Sequence, residues 1–282
     1  MATTIGLLHP GDMGGVVGAC AKAAGQRVLW ASAGRSAGTR QRATAAGLED
    51  AGTVAALVAA SDVVLSICPP HAAVDLAREV AALRFAGLFV DGNAVAPATA
   101  REIGAIVERG GATFVDGGLI GPPPRAAGST RLYLSGREAK RAVALFEGSA
   151  LEAIAVNDVP GAASALKMVY AAFTKGTSAL LMGVRALAAS EGVDDALLAE
   201  WHRSQPDLPK KSEAAARDNA RKAWRFVGEM DEIAATFEAA GLPGGFHRAA
   251  GEIYRRLVDY KDAATPPAMA DLVEPLTRPR RQ

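Results

Sequence analysis

From Thr3 to Val156 short β-branched or aliphatic runs alternate with Ala-rich helical stretches, and no other feature of the sequence constrains the fold as strongly. Such a repeat buries both faces of its apolar runs when the runs form a parallel sheet covered by helices on each side. The runs are Thr3 to Leu8, Arg27 to Ala31, Asp62 to Ile67, Leu88 to Asp91 and Thr113 to Asp116, with Arg131 to Leu134 and Ala153 to Val156 as weaker members. Helical windows lie between them at Gly14 to Ala24, Ala72 to Ala82 and Pro97 to Arg109, the last opened by a proline suited to a first helical turn. After Pro160 the strand signals stop. Gly161 to Ser190 reads as one helix, roughly 45 Å long at 1.5 Å per residue, a length that bridges domains. Further helices are expected at Asp194 to Arg203, Lys211 to Ala240 with a break near Asn219, and Gly245 to Tyr260; Pro206, Pro209 and Leu242-Pro243-Gly244 interrupt them. The expected fold class is therefore α/β: a doubly wound parallel sheet over 1–159, a long interdomain helix over 160–190, and an all-α domain over 191–282 that serves substrate binding and dimerisation. The Arg-Pro-Arg-Arg end, Arg278 to Arg281, is expected to be a solvated, mobile tail.

Charge narrows the partners. With 31 Lys plus Arg against 30 Asp plus Glu, the net charge of +1 leaves no basic surplus to neutralise a run of phosphates, so neither nucleic acid nor an anionic membrane is expected. Small molecules are the expected partners. Two cysteines, Cys20 and Cys68, are too few for a secreted disulfide framework. The first strand-like run begins within a few residues of Met1, which leaves no room for a signal peptide, and a cytoplasmic location is expected. Uncharged apolar stretches such as Gly176 to Val184 are far short of the ~20 residues of a membrane span.

Thr3 to Gly15 reads as a strand, a tight turn and a helix start, which is the setting of a dinucleotide fingerprint. In the G-x-G-x-x-G register the three positions are His9, Gly11 and Gly14, so the first glycine is missing. The amides of Asp12, Met13 and Gly14 would open the helix and meet a phosphate. At the end of the second run an acid normally holds the ribose 2′-hydroxyl of NAD, but Trp30 to Ser36 contains none. Ser32, Arg35 and Ser36, with Arg40 and Arg42 near, suit a 2′-phosphate, and NADP(H) is expected over NAD(H).

The long helix has an apolar body, yet Lys167, Tyr170, Thr174 and Ser178 fall at i, i+3, i+7 and i+11 on one face. Burial of a lysine in such a setting lowers its pKa, and a neutral amine takes the proton of an alcohol as hydride leaves the carbon. Lys167 is thus the candidate acid/base, with a snorkelling lysine as the structural alternative. Lys175, beside the same stripe, is either an anchor for an anionic substrate group or a surface cation. Two loops at strand carboxyl ends frame the expected cleft, Ser66 to His71 and Asp91 to Pro97, and they contribute Cys68, Pro69 and Asn93 as cofactor contacts, Asn93 alternatively to substrate. A third loop, Asp116 to Arg125, carries glycines for close approach and prolines for stiffness, with Gly121 and Pro122 as substrate contacts beside Tyr170, Thr174 and Lys175. Cys20 is expected in the core. The histidines His9, His71, His202 and His247 have no ligand spacing and no metal site is expected. Trp224, Val227, Met230 and Ile233 mark the apolar face of a later helix, and Arg225 and Glu229 read as a surface ion pair, with a substrate role as the alternative.

The chain resembles the β-hydroxyacid dehydrogenase superfamily, which includes 6-phosphogluconate, 3-hydroxyisobutyrate and tartronate semialdehyde dehydrogenases and the imine reductases. Ile5-Gly6 and Gly11-Asp-Met-Gly14 look like its I-G-x-x-G-x-G-x-M-G, Asp116 to Gly121 like its D-A-P-V-S-G, and Gly161 to Lys167 like its G-x-G-x-x-x-K. The resemblance covers nearly the whole chain and implies a Rossmann domain, a long interdomain helix, an all-helical C-terminal domain, and a homodimer that helps complete each site. It also implies that Lys167 is the general acid/base. Ile120 replaces the serine of the substrate loop, and Tyr170 and Ala171 replace two asparagines of the hydroxyisobutyrate branch, which leaves substrate identity open. Ala162 to Lys175 and Trp224 to Met230 are similar to a branch whose helical C-terminal domain has no assigned function. The expected activity is an NADP(H)-dependent oxidoreductase interconverting a small hydroxy compound and its carbonyl. The alternatives are an imine reductase-like enzyme and a non-catalytic dinucleotide-binding sensor.

Overall fold

A computed structural model describes residues 2–278, and the chain divides into two compact units, Met1–Met168 and Val169–Gln282. In the first unit the apolar runs become strands β1 (Thr4–Leu7), β2 (Arg27–Trp30), β4 (Val63–Ser66), β5 (Leu88–Asp91), β6 (Thr113–Ile120), β7 (Arg131–Ser135) and β8 (Glu152–Asn157). A two-residue strand β3 (Glu49–Asp50), which carries no apolar signal, completes an eight-stranded sheet ordered β3-β2-β1-β4-β5-β6-β7-β8. Neighbouring pairs are parallel except β6 with β7. Because side chains alternate across a strand, Ile5, Leu7, Val63, Leu65, Leu88 and Val90 enter one core while Leu29, Val64 and Phe89 enter the other. Helix α1 (Asp12–Ala23) covers the first face through Val17, Cys20 and Ala21, so Cys20 is core. Helices α4 (Ala73–Ala82) and α5 (Pro97–Gly110) cover the second, and the shorter α2 (Ala37–Ala45), α3 (Val54–Ala59) and α6 (Ala139–Ala144) fill the remaining connections. This doubly wound order reverses direction beside β1, where such sheets open a crevice at their carboxyl ends.

The segment Asp116 to Gly121, read from sequence as a loop, is strand to Ile120. Glycines disguise it, and their use is contact: a Cβ at Gly118 would lie 2.7 Å from the Ala163 carbonyl and 3.0 Å from Lys167 Cβ. The 29-residue helix α7 (Ala162–Ser190) therefore begins pressed on the β6 backbone. Its leading N–H groups, which have no partner within a helix, are received by the sheet. Ala163 N donates to Ser135 Oγ at 3.0 Å and Ser164 N to Asp116 Oδ2 at 2.9 Å. These bonds hold the first turns of α7 to the first unit, whose boundary falls inside this helix rather than before it.

In the second unit α7 is followed by α8 (Asp194–Ser204), α9 (Leu208–Asn219), α10 (Ala223–Ala239), α11 (Gly245–Arg255) and α12 (Met269–Thr277). The break near Asn219 is a 3₁₀ turn over Ala220–Lys222. Phe226, Met230, Ile233 and Ala234 form the buried face of α10, and Phe226 meets Tyr254 edge to face at 5.2 Å. Trp224, expected in that face, is instead 43% exposed with Lys261 Nζ 4.7 Å from its ring, because the buried stripe runs one step round the helix through Ala223 and Phe226. Arg185, 6% exposed, joins α7 to Asp194 at 2.6 Å, to Ser212 at 2.8 Å and to Glu213 at 3.2 Å. Beyond Arg278 the expected basic tail lies outside the described residues.

Candidate active site

The carboxyl ends of β1, β4, β5 and β6 are neighbours in the sheet. At β1, Gly11 is the N-cap of α1, and a side chain built there would meet nothing within 4 Å, so the backbone faces open space. Gly14 is the reverse: its Cβ would fall 2.1 Å from the His9 carbonyl, so only glycine lets the helix start close on the turn. The N–H groups of Asp12, Met13 and Gly14 in this first turn fit a dinucleotide pyrophosphate. Two arginines grip the turn. Arg42 Nε donates to the Pro10 carbonyl at 3.3 Å, and Arg35 Nη2 donates to the Leu8 carbonyl at 3.3 Å while its Nη1 lies 3.0 Å from His9 Nδ1. The Nε of Arg35 is buried and has no hydrogen-bond partner among the described residues. Burial, and then the Arg35 charge, push the His9 pKa down to about 4, so the imidazole is neutral.

The end of β2 differs from expectation in one respect. Pairing of Trp30 with Asp50 brings an acid from β3 beside Ser32. The Ser32 hydroxyl, the Gly52 N–H and the Arg40 charge hold the exposed Asp50 carboxyl below the usual range. Ser36 is the N-cap of α2, its Oγ accepting from Thr39 N at 3.3 Å.

At the ends of β4 and β5, Asn93 is 2% exposed and its amide is taken up inside the protein. Oδ1 accepts from Cys68 N at 2.6 Å, and Nδ2 donates to Ser66 Oγ at 3.0 Å and to Asp91 Oδ1. The expected direct contact of Asn93 with cofactor or substrate is therefore replaced by support: with both amide hydrogens engaged, the side chain pins the Cys68-Pro69 loop. The exposed Pro69 caps the 3₁₀ turn Pro70–Ala72. Burial and the nearby Asp91 push the Cys68 thiol up to about 12, so it is not a nucleophile. Asp91, 0% exposed with Oδ2 unpartnered among the described residues, has its pKa pushed up to about 8 by burial and by Asp116. Asp116 accepts from Ser135 Oγ at 2.9 Å and from Ser164 Oγ at 2.5 Å besides the Ser164 amide. A carboxylate at the positive end of α7 is favourably placed.

One turn along α7 from Ser164, the half-buried Lys167 extends to the end of β6, where Nζ donates to the Leu119 carbonyl at 2.5 Å. Gly121 follows with φ +128°, and the Pro122 carbonyl accepts from Thr130 Oγ1. Of the other stripe residues, Tyr170 is 49% exposed, while Thr174 and Ser178 donate to the helix carbonyls of Tyr170 and Thr174. Lys175 is not a candidate anchor: its Nζ pairs with Glu229, both side chains about 15% exposed, and lies 4.6 Å from the centre of the Phe226 ring. Glu229 thus pairs across the unit rather than with Arg225. His9, Asp50 and Asp91 are the site-forming residues that sequence reasoning did not assign a role. Among the described residues no three His, Cys, Asp or Glu side chains gather as a metal site.

Residues 4–157 match the family described as the NAD binding domain of 6-phosphogluconate dehydrogenase, and residues 188–257 match a domain of unknown function, DUF1932. A 28.5 kDa protein encoded in the 7S RNA 5′ region of Methanothermus fervidus is 30% identical over 204 residues, 71% of this chain and 78% of that protein. A conserved hypothetical protein from Sinorhizobium meliloti 1021 superposes with a TM-score of 0.70 at 26% identity, over 98% of this chain and 96% of that one. The 3-hydroxyisobutyrate dehydrogenase of Mycobacterium tuberculosis, solved with L-serine, superposes with a TM-score of 0.72 at 21% identity over 99% and 100%.

Proposed function

The chain belongs to the family of the NAD binding domain of 6-phosphogluconate dehydrogenase, within the β-hydroxyacid dehydrogenase superfamily, and from that premise we propose that it is an NADP(H)-dependent oxidoreductase interconverting a small hydroxy compound, of hydroxy-acid type, and its carbonyl. The observation that carries the reading is the place of Lys167: an amine at the carboxyl end of β6, on the same side of the parallel strands as the fingerprint turn, with one N–H direction fixed by the Leu119 carbonyl. When bound, the nicotinamide would supply the hydride acceptor for oxidation and the hydride donor for reduction. Lys167 takes the hydroxyl proton in the oxidative direction and gives it back to the carbonyl oxygen in the reductive one. Gly11 to Gly14 receive the pyrophosphate, and the Arg35 guanidinium receives the 2′-phosphate. Gly121 and Pro122, just past the strand end that Lys167 reaches, are the substrate contacts we propose.

We also propose a cytoplasmic homodimer. On α7, Leu166, Phe173, Leu180 and Leu187 recur every seven residues and are 37%, 73%, 51% and 61% exposed. A seven-residue apolar seam of roughly 30 Å is the pattern a partner helix covers. No described helix is long and apolar enough to cross a membrane.

The test is NADPH oxidation with a panel of semialdehyde and keto acids, simple ketones and cyclic imines. Turnover confined to carbonyl acids supports the reading. Turnover of imines alone makes the chain an imine reductase, and tight NADPH binding without turnover makes it a sensor.

A further inference from the structure

The residue standing at the first fingerprint position is not a passive departure from glycine. His9 is half-buried at the end of β1, and its backbone needs no left-handed conformation, since Arg84 is the one non-glycine with positive φ among the described residues. What the side chain does is hold Arg35. The guanidinium comes from the turn after β2, a segment at whose apex an arginine would otherwise extend into solvent with its full rotamer freedom. Instead Nη1 lies 3.0 and 3.2 Å from the two ring nitrogens, and Nη2 is fixed on the Leu8 carbonyl. The remaining edge, Nε, is buried without a partner among the described residues. An arginine tied at both terminal nitrogens is held in one orientation while three of its five N–H groups, that of Nε and one on each terminal nitrogen, stay unengaged among the described residues for an acceptor that arrives with a ligand, and the segment it belongs to borders the end of β2, where the ribose 2′ substituent of a dinucleotide lies.

We propose that His9 is a positioning residue for cofactor selection: it holds the Arg35 guanidinium in the orientation that receives the 2′-phosphate of NADP(H), so the missing glycine contributes to choosing the cofactor. The inference rests on the NADP(H) reading above. The neutral state of the ring is consistent with it, because an imidazolium would repel Arg35.

The experiment is calorimetric titration of the full-length protein with NADPH and with NADH, for the wild type and for His9→Ala, His9→Leu, His9→Gln, Arg35→Met and the His9→Ala/Arg35→Met double variant, with thermal midpoints as a folding control. Arg35→Met should weaken NADPH by roughly 10- to 100-fold and NADH by less than about twofold. His9→Ala should weaken NADPH selectively by roughly three- to tenfold, the effect of freeing one long side chain, and should add nothing in the double variant. His9→Leu, which fills the space without a ring nitrogen, should behave as His9→Ala, whereas the His9→Gln amide should restore selectivity. A wild-type ratio of NADPH to NADH affinity in His9→Ala, beside a collapsed ratio in Arg35→Met, overturns the role of His9 while leaving the cofactor reading intact. Rescue by His9→Leu reduces His9 to packing. A ratio unmoved by Arg35→Met removes the cofactor reading, and this inference with it.

Discussion

Replacing Asp91 by asparagine should make the first unit more stable, and increasingly so as pH rises. Asp91 is fully buried between β4 and β6, one oxygen has no partner among the described residues, and Asp116 is a second carboxylate in the same network. Burial, and then Asp116, raise its pKa from 3.8 to about 8, so the folded protein keeps a proton that the unfolded chain loses near pH 4. Between these values the unfolded state binds fewer protons, and stability falls with pH at up to about 1.4 kcal/mol per unit, levelling off above pH 8. Integrated from pH 6 to pH 8, the loss is about 2 kcal/mol. The amide introduced by Asp91→Asn would mimic the protonated acid, keep the oxygen that accepts from Asn93, and have no such loss. The assay is urea unfolding of wild type and Asp91→Asn at pH 6, 7 and 8. Trp201 and Trp224 are replaced by phenylalanine in both, so that emission reports the buried Trp30 of the first unit. The difference in unfolding free energy should shift by about 2 kcal/mol in favour of the variant across this range. A difference independent of pH, or a variant that loses stability at pH 8, would show that the folded protein holds Asp91 as an anion and would refute the reasoning.

Breaking the Lys175–Glu229 pair with Lys175→Met leaves a buried carboxylate and should cost the second unit about 3 kcal/mol, seen as a lowered thermal midpoint, while KM for the carbonyl substrate stays within about twofold; a KM raised tenfold or more would return Lys175 to substrate binding. Phe173→Asp and Leu180→Asp on the exposed α7 seam should convert the dimer to monomer in sedimentation at micromolar concentration, and a wild-type protein already monomeric there would contradict the seam's assignment.

Much of this architecture is legible because burial on both sheet faces forces apolar runs to a length and spacing that survive in sequence, from Thr4–Leu7 to the weaker Arg131–Ser135 and Glu152–Asn157. What is not legible has specific causes. Strand β3 is Glu49–Asp50, two charged residues paired at the sheet edge, so nothing in its composition announced either the strand or the acid beside Ser32. Gly117 and Gly118 concealed half of β6, because their role is to admit other backbones. Pro275 lies within α12 and hid that helix. For the site, the fingerprint turn and Lys167 are local patterns. The engagement of Asn93 with Cys68 and of Lys175 with Glu229 joins residues 25 and 54 positions apart, which no local period encodes.

In the proposed reaction Lys167 moves the proton while the first unit's fingerprint turn holds the cofactor. Single-turnover NADPH oxidation by Lys167→Met, with NADPH affinity measured on the same samples, tests it most directly. The expected result is a dissociation constant for NADPH within about twofold of wild type and a rate reduced by on the order of 10²- to 10⁴-fold, the usual contribution of a positioned acid/base. A rate within a few-fold of wild type, at unchanged NADPH affinity, would contradict it.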